Sequence, residues 1–240
     1  TMKFFEYSNP DPAHLLACDH ALLNEREENG DDDVLMFWES SSPFVVLGYT
    51  DRVRTAVNVE ECARENVPIL RRCSGGGTVV QGRGCLNYSL VLRIPTEGAL
   101  SNLSQTNQFV MNRMRQALQT LTQQSIEVRG ITDLAVDGLK FSGNAQRRRR
   151  NFLLFHGTVL YDFDLDLLGR LLQMPTRQPD YRSDRSHRDF VTNLRLSPDA
   201  IKEALCAAWS ANRVLEGVPT ERIEQLVRDV YSQDGWNFKL

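Results

Sequence analysis

The chain has no run of about 18 apolar residues, and its start lacks the apolar core of a signal peptide. Neither a membrane span nor a secretory leader is indicated, so a cytoplasmic, thiol-reducing setting with no membrane partner is expected. Thr1, ahead of Met2, reads as an appended residue. Cysteine is sparse: Cys18, Cys62, Cys73, Cys85 and Cys206 form no Cys-x-x-Cys pair, and the 4 histidines lack ligand spacing. No disulfide framework or zinc site follows, and metal ligands stay unassigned. Basic excess is missing too, since 28 Lys and Arg against 31 Asp and Glu leave a formal net charge of -3. That argues against a nucleic-acid partner.

Also absent are internal repeats, regular βαβ alternation, a P-loop and a Gly-x-Gly-x-x-Gly segment opening a helix. What remains is a chain of 240 residues, 41% hydrophobic and 25% charged, the balance of an ordinary globular protein. No boundary divides it, so residues 1–240 are read as one domain.

Apolar spacing predicts helices over 13–28, 104–121, 165–172, 198–212 and 219–231. A short helix over 58–65 is expected to start with Asn58 as N-cap and Glu61 completing a capping box. Strand-like runs cover 34–38 and 44–48, joined by the turn-like Glu39-Ser40-Ser41-Ser42-Pro43 and so expected to form a hairpin. Further strands are expected at 67–70, 78–80, 87–92, 126–128, 134–136, 140–142 and 152–161. Strands in antiparallel-looking groups with helices between them indicate an α+β fold, a mixed or antiparallel sheet flanked by helices. The polar segment 175–189 has no period and is read as a mobile loop closing over a ligand.

One segment stands out, Arg71-Arg72-Cys73-Ser74-Gly75-Gly76-Gly77-Thr78-Val79-Val80. Three glycines expose a row of N–H groups with no side chains in the way, which suits a phosphate or carboxylate. A glycine-rich hairpin with no ligand is the alternative. Lys140 precedes a second glycine segment, Gly143-Asn144-Ala145-Gln146, read as a turn; it can aim a fixed charge at an anion or be a solvated edge-strand lysine. Asp133 is a metal or amine-steering candidate or a turn aspartate, and His156 reads as a core histidine before a general base. Arg147 to Arg150 are read as a solvated hairpin tip or a phosphate- or acid-binding patch.

Arg71-Arg72-x-Ser74-Gly75-Gly76-Gly77-Thr78-Val79, Gly84-x-Leu86-Asn87-Tyr88-Ser89, Asp133-Leu134, Lys140-x-Ser142-Gly143-Asn144-Ala145-Gln146 and His156-Gly157-Thr158-Val159-Leu160 together resemble, in order and spacing, the lipoate-protein ligase A family. The resemblance implies a biotin/lipoate protein ligase-like catalytic domain. Its implied reaction activates lipoate or octanoate with ATP and Mg2+ to acyl-AMP, then acylates a lysine on a lipoyl-accepting domain. Such a partner would belong to a 2-oxoacid dehydrogenase subunit or a glycine-cleavage H-type protein. Arg72 and the backbone of Gly75, Gly76, Gly77, Thr78, Val79 and Val80 would contact nucleotide and acyl chain, the two glycine segments facing each other across the cleft. Lys140 would bridge carboxylate and phosphate, Asp133 would lie near the adenylate or the incoming lysine, and Gly157 and Thr158 beside the acyl pocket.

Departures from the family pattern are Thr132 in place of a common asparagine and Gln81-Gly82 in place of a histidine-containing segment. The chain is expected to carry no C-terminal accessory domain, which leaves that role to a separate accessory protein. The rival activity on the same fold is octanoyl transfer through a cysteine thioester; Cys73 and Cys85 read instead as small buried residues. A non-catalytic binder of lipoate or lipoyl-AMP is the remaining alternative, and Lys140 argues against it.

Overall fold

The computed structural model describes residues 2–30 and 32–240; Thr1, read above as appended, lies outside the described residues. Its strands are β1 (Met2–Glu6), β2 (Val34–Trp38), β3 (Phe44–Leu47), β4 (Ile69–Arg71), β5 (Val79–Gln81), β6 (Cys85–Arg93), β7 (Ile126–Arg129), β8 (Asp133–Val136), β9 (Leu139–Arg148), β10 (Phe152–Leu160) and β11 (Ala211–Val214). The helices are α1 (Pro12–Asn29), α2 (Val53–Ala56), α3 (Val59–Arg64), α4 (Leu103–Gln119), α5 (Asp166–Leu171), α6 (His187–Phe190), α7 (Pro198–Ala208), α8 (Thr220–Leu226) and α9 (Asp234–Asn237). Eight strands form one mixed sheet in the order β11-β1-β2-β6-β10-β9-β8-β7, and a second sheet has the order β4-β3-β5.

Helices cover both faces of the large sheet. Leu35 and Phe37 of β2 pack into one core with Val110 and Met114 of α4 and Ile201 and Leu205 of α7. Val34, Met36 and Trp38 alternate to the other face, against Leu15 and Leu22 of α1 and Ile223 of α8. This two-sided cover explains why β2 is apolar at every position. A third core lies under the small sheet, where Val45 and Leu47 meet Cys62, Leu168 and Leu171. Among the described residues no helix is long and apolar enough to cross a membrane.

Several local expectations change. The runs at 34–38 and 44–48 are not a hairpin: β3 leaves the large sheet and becomes the centre of the small one, parallel to β4 and antiparallel to β5. Gly143 to Gln146 are not a turn but the middle of β9, which pairs with β10 along Gly157↔Asn144 to Leu153↔Arg148. Asn58 does precede α3, yet no capping box forms: its side chain makes no cap hydrogen bond, its Nδ2 donates to the Arg170 carbonyl (3.2 Å), and Glu61 pairs with Arg64. The helix begun at Pro198 stops at Ala208, and Ala211–Val214 form β11, parallel to β1. The last helix passes from α8 into a π-helical turn, Val227–Tyr231. Arg147 and Arg148 are not at a solvated tip. Arg147 donates to the Cys73 carbonyl (2.5 Å) and Arg148 to the Leu100 carbonyl (2.8 Å), tying the β9 end to neighbouring loops.

Candidate active site

Residues of both sheets line a cleft of about 1470 Å³. Typical small-ligand pockets are roughly 300–1,000 Å³, so this one has room for a nucleotide and an acyl chain together. Leu16, Trp38, Val46, Val79 and Leu160 supply apolar wall, while Lys140, Asp133 and Asn144 supply polar groups. Among the described residues, none lining the cleft is a cysteine.

The glycine loop carries the chain from β4 to β5 across the intervening β3, so the hairpin reading does not apply. Its carbonyls need donors, and Arg72 provides them: Nε donates to the Ser74 hydroxyl (3.1 Å) and the Gly75 carbonyl (3.1 Å), and Nη2 to the carbonyls of Gly75 (2.5 Å) and Gly77 (2.9 Å). Burial lowers the Arg72 pKa to about 10. Arg71, fully buried, donates Nη1 to the carbonyls of Gly48 and Asp51 (2.7 Å each) and its backbone N–H to Asn237 Oδ1 (2.9 Å). Much of the Arg72 donor capacity is therefore spent on holding the glycine loop, while Arg71 holds the 48–51 segment and the C-terminal turn α9. Gly76 sits at φ +84, and a Cβ there would come 3.4 Å from the Ala145 Cβ, so the two glycine segments lie against each other here and do not stand apart across the cleft. Gly76, Gly77, Thr78, Val79, Val80 and Arg72 lie on the wall; Gly75 does not. Thr78 donates its hydroxyl to Asp51 Oδ2 (2.7 Å).

Across the cleft, Lys140 near the start of β9 places Nζ 2.7 Å from Asp133 Oδ1. The register shifts between Leu134 and Ala135, where β9 carries one extra residue, Phe141, and this bulge re-aims the start of β9. Asp133 Oδ2 accepts the Tyr181 hydroxyl (2.8 Å), and the Tyr181 pKa is raised by burial and then by Asp133. The 175–189 segment is thus pinned to the lysine–aspartate pair and carries two short helical turns, 180–182 and the start of α6. Gly157 and Thr158 are on the wall. A Cβ at Gly157 would lie 1.6 Å from Asn144 Oδ1, which itself accepts the Tyr88 hydroxyl (2.6 Å).

Sequence reasoning gave no role to Asp19, Ser74 or Tyr181 and read His156 as core. The structure places Asp19 and His156 on the cleft wall, bonded to each other at 2.6 Å. Asp19 is one acid on an otherwise apolar helix face and Tyr181 one tyrosine in a polar loop, so neither carries a local signal. Among the described residues no three His, Cys, Asp or Glu side chains are placed to hold a metal ion. Magnesium bound with ATP is usually held by phosphates and one or two carboxylates, and Asp133 and Asp51 are carboxylates on the cleft wall beside the two glycine segments.

The glycine loop, Lys140 and an apolar wall line one cleft of an α+β fold. The family model for the lipoyl protein ligase A/B catalytic domain matches residues 11–210, and the chain belongs to this family of lipoate ligases and transferases. It is 24% identical to octanoyltransferase LipM of Halalkalibacterium halodurans, over 100% of this chain and 99% of that protein. It is 28% identical to lipoate-protein ligase A subunit 1 of Thermoplasma acidophilum, over 94% of this chain and 91% of that protein.

Solved structures share the fold. A bi-partite lipoate protein ligase studied with its E2 lipoyl domain, from T. acidophilum, superposes with a TM-score of 0.83 at 22% identity, covering 99% of this chain and 95% of that one. A putative lipoate protein ligase from T. acidophilum with bound lipoic acid gives 0.81 at 20%, covering 100% and 98%. Lipoate-protein ligase A bound with ATP gives 0.76 at 22%, covering 99% and 97%.

Proposed function

We propose that this chain is an ATP-dependent lipoate-protein ligase. It activates lipoate or octanoate to acyl-AMP and passes the acyl group to a lysine of a lipoyl-accepting domain. The observation that carries the reading is the chemistry of the cleft wall, which offers a lysine and backbone donors but, among the described residues, no thiol. A thioester intermediate needs an accessible thiolate. Cys73, beside the glycine loop, is buried, and burial pushes its thiol up to about 11. Cys85 is buried and shifted further in the same direction.

Adenylation needs charge neutralisation and alignment, not a protein nucleophile. The acyl carboxylate attacks the α-phosphorus of ATP and pyrophosphate leaves. Lys140 lies against both anions, with its ammonium oriented by Asp133. The N–H groups of Gly76, Gly77 and Thr78 receive the developing charge from the other side, and Arg72 keeps that loop in place. Thr78, Val79, Val80, Gly157 and Thr158 flank the acyl chain. An acceptor amine then attacks the acyl carbon, AMP departs with the bonding pair, and the amine proton passes to solvent. Magnesium bound with ATP would offset phosphate charge, and Asp133 and Asp51 on the cleft wall would hold it. Residues 1–240 act as one catalytic domain, and a separate accessory subunit fits the bi-partite ligase of T. acidophilum and the relative named subunit 1.

Octanoyl transfer from acyl carrier protein is the second reading, favoured by the relatives named LipM. Incubating the protein with ATP, magnesium, lipoate or octanoate and a lipoyl domain, and weighing the acceptor by mass spectrometry, separates the two. ATP-dependent acylation that survives replacement of Cys73 and Cys85 by alanine is expected; acylation only from octanoyl-acyl carrier protein overturns the ligase reading. Lys140→Ala should lower adenylation by about 10²-fold or more, the scale of losing one preorganised charge partner.

A further inference from the structure

A buried chain of polar side chains runs under the cleft into the glycine loop. Ser89 on β6 donates its hydroxyl to Asp19 Oδ1 on α1 (2.6 Å), Asp19 Oδ2 meets His156 Nδ1 on β10 (2.6 Å), and His156 Nε2 meets the Ser74 hydroxyl (2.6 Å). Arg72 Nε donates to the same Ser74 oxygen (3.1 Å) and its Nη2 to the Gly75 and Gly77 carbonyls. The proton positions follow from chemistry. A carboxylate only accepts, so Nδ1 carries the hydrogen; in the neutral ring Nε2 then accepts, and the Ser74 O–H must donate to it. Arg72, a pure donor, satisfies the remaining side of Ser74.

This order of Ser, His and Asp has the geometry of a hydrolytic triad, but the hydroxyl is in the wrong place. Asp19 and His156 line the cleft, whereas Ser74 is 1% exposed and does not. Its neighbour is the loop. A Cβ on Gly75 or Gly77 would meet nothing within 4 Å, so these glycines have no packing of their own to hold them. Their orientation depends on Arg72, and that of Arg72 on Ser74 and His156.

We infer that Asp19 and His156 are positioning residues: through Ser74 and Arg72 they lock the Gly75–Gly77 carbonyls inward, so the loop N–H groups are aimed before any anion arrives. The inference rests on the proposal that this loop holds the reacting anions. Isosteres separate the two ring nitrogens. His156→Asn keeps a donor where Nδ1 sits and loses the Ser74 contact; His156→Gln keeps an acceptor near Nε2. Asp19→Asn moves the ring hydrogen to Nε2 and makes it a donor facing Ser74.

Two measurements on the full chain test this. Hydrogen exchange of the Tyr49 amide, which donates to the Ser74 carbonyl (2.8 Å), read by mass spectrometry on folded protein, should quicken about 10-fold or more in Asp19→Asn and His156→Asn and stay near wild type in His156→Gln. In the acylation assay, kcat should fall about 10- to 100-fold in the first two with the KM for the acyl substrate within about threefold, and His156→Gln should recover at least about a third of the rate. Unchanged exchange in Asp19→Asn, or equal defects in His156→Asn and His156→Gln, overturns the inference. If wild type shows no ATP-dependent acylation while exchange follows the expected pattern, the ligase reading fails and the positioning chain stands.

Discussion

Lys140 owes its place to a side chain that is missing, that of Gly143. A Cβ at 143 would lie 2.8 Å from Lys140 Nζ and 2.9 Å from its Cε. Because those atoms end a flexible stem, Gly143→Ala should push the ammonium off Asp133 instead of unfolding β9. The expected outcome is adenylation slowed about 10-fold or more with Tm within about 2 °C of wild type, measured by pyrophosphate exchange and calorimetry; a wild-type rate would refute this view of the site. Much of the site was legible because its motifs are short in sequence: Lys140, Asp133, Gly76 to Val80, Gly157 and Thr158 all reach one cleft. Long-range partners were not, since nothing in the sequence joins Asp19 to His156 or Tyr181 to Asp133. Arg72 was legible as important, yet its charge serves carbonyls in its own loop, a demand visible only once the loop's path is known.

At the level of elements, the β9–β10 pair is where a small residue fixes a register. Gly157 sits opposite Asn144, whose amide Nδ2 also donates to the Thr132 carbonyl (2.7 Å) and the Ser142 hydroxyl (3.1 Å). Asn144 has no freedom to retreat from a methyl group, unlike the end of Lys140. Gly157→Ala should therefore cost about 1–3 kcal/mol of stability, the range for overpacking, and a urea titration showing a loss below about 0.5 kcal/mol would contradict it. Strands β2 and β10 were readable from apolar runs and β6 from its polar and apolar alternation, but sheet membership was not. β2 and β3 carry the same kind of signal, and only pairing with β4 and β5 sends β3 elsewhere. β11 had no signal to read, because three of its four residues are exposed at the sheet edge.

Across the whole molecule, α1 joins the cleft to the core through adjacent residues, Asp19 in the polar chain and His20 behind it. The His20 ring packs edge-on against Tyr231 of the C-terminal π-turn, with centroids 6.2 Å apart. Burial, then the charges of Arg147 and Arg149, lower its pKa to about 4, with Asp19 opposing. Above pH 6.5 the ring is neutral in folded and unfolded chains alike, and its contribution is fully present. As pH falls through 6.5 the unfolded chain takes up a proton that the folded chain refuses until about pH 4, so stability is lost across that window. By pH 5 the loss from this residue is about 2 kcal/mol. His187, also lowered by burial, acts in the same direction and is common to both proteins in the test. Urea unfolding at pH 7 and pH 5 should therefore show wild type losing about 2 kcal/mol more than His20→Gln over that interval. Equal losses would mean that the ring is protonated inside the fold, and that α1 and the C-terminal turn tolerate a buried cation between them.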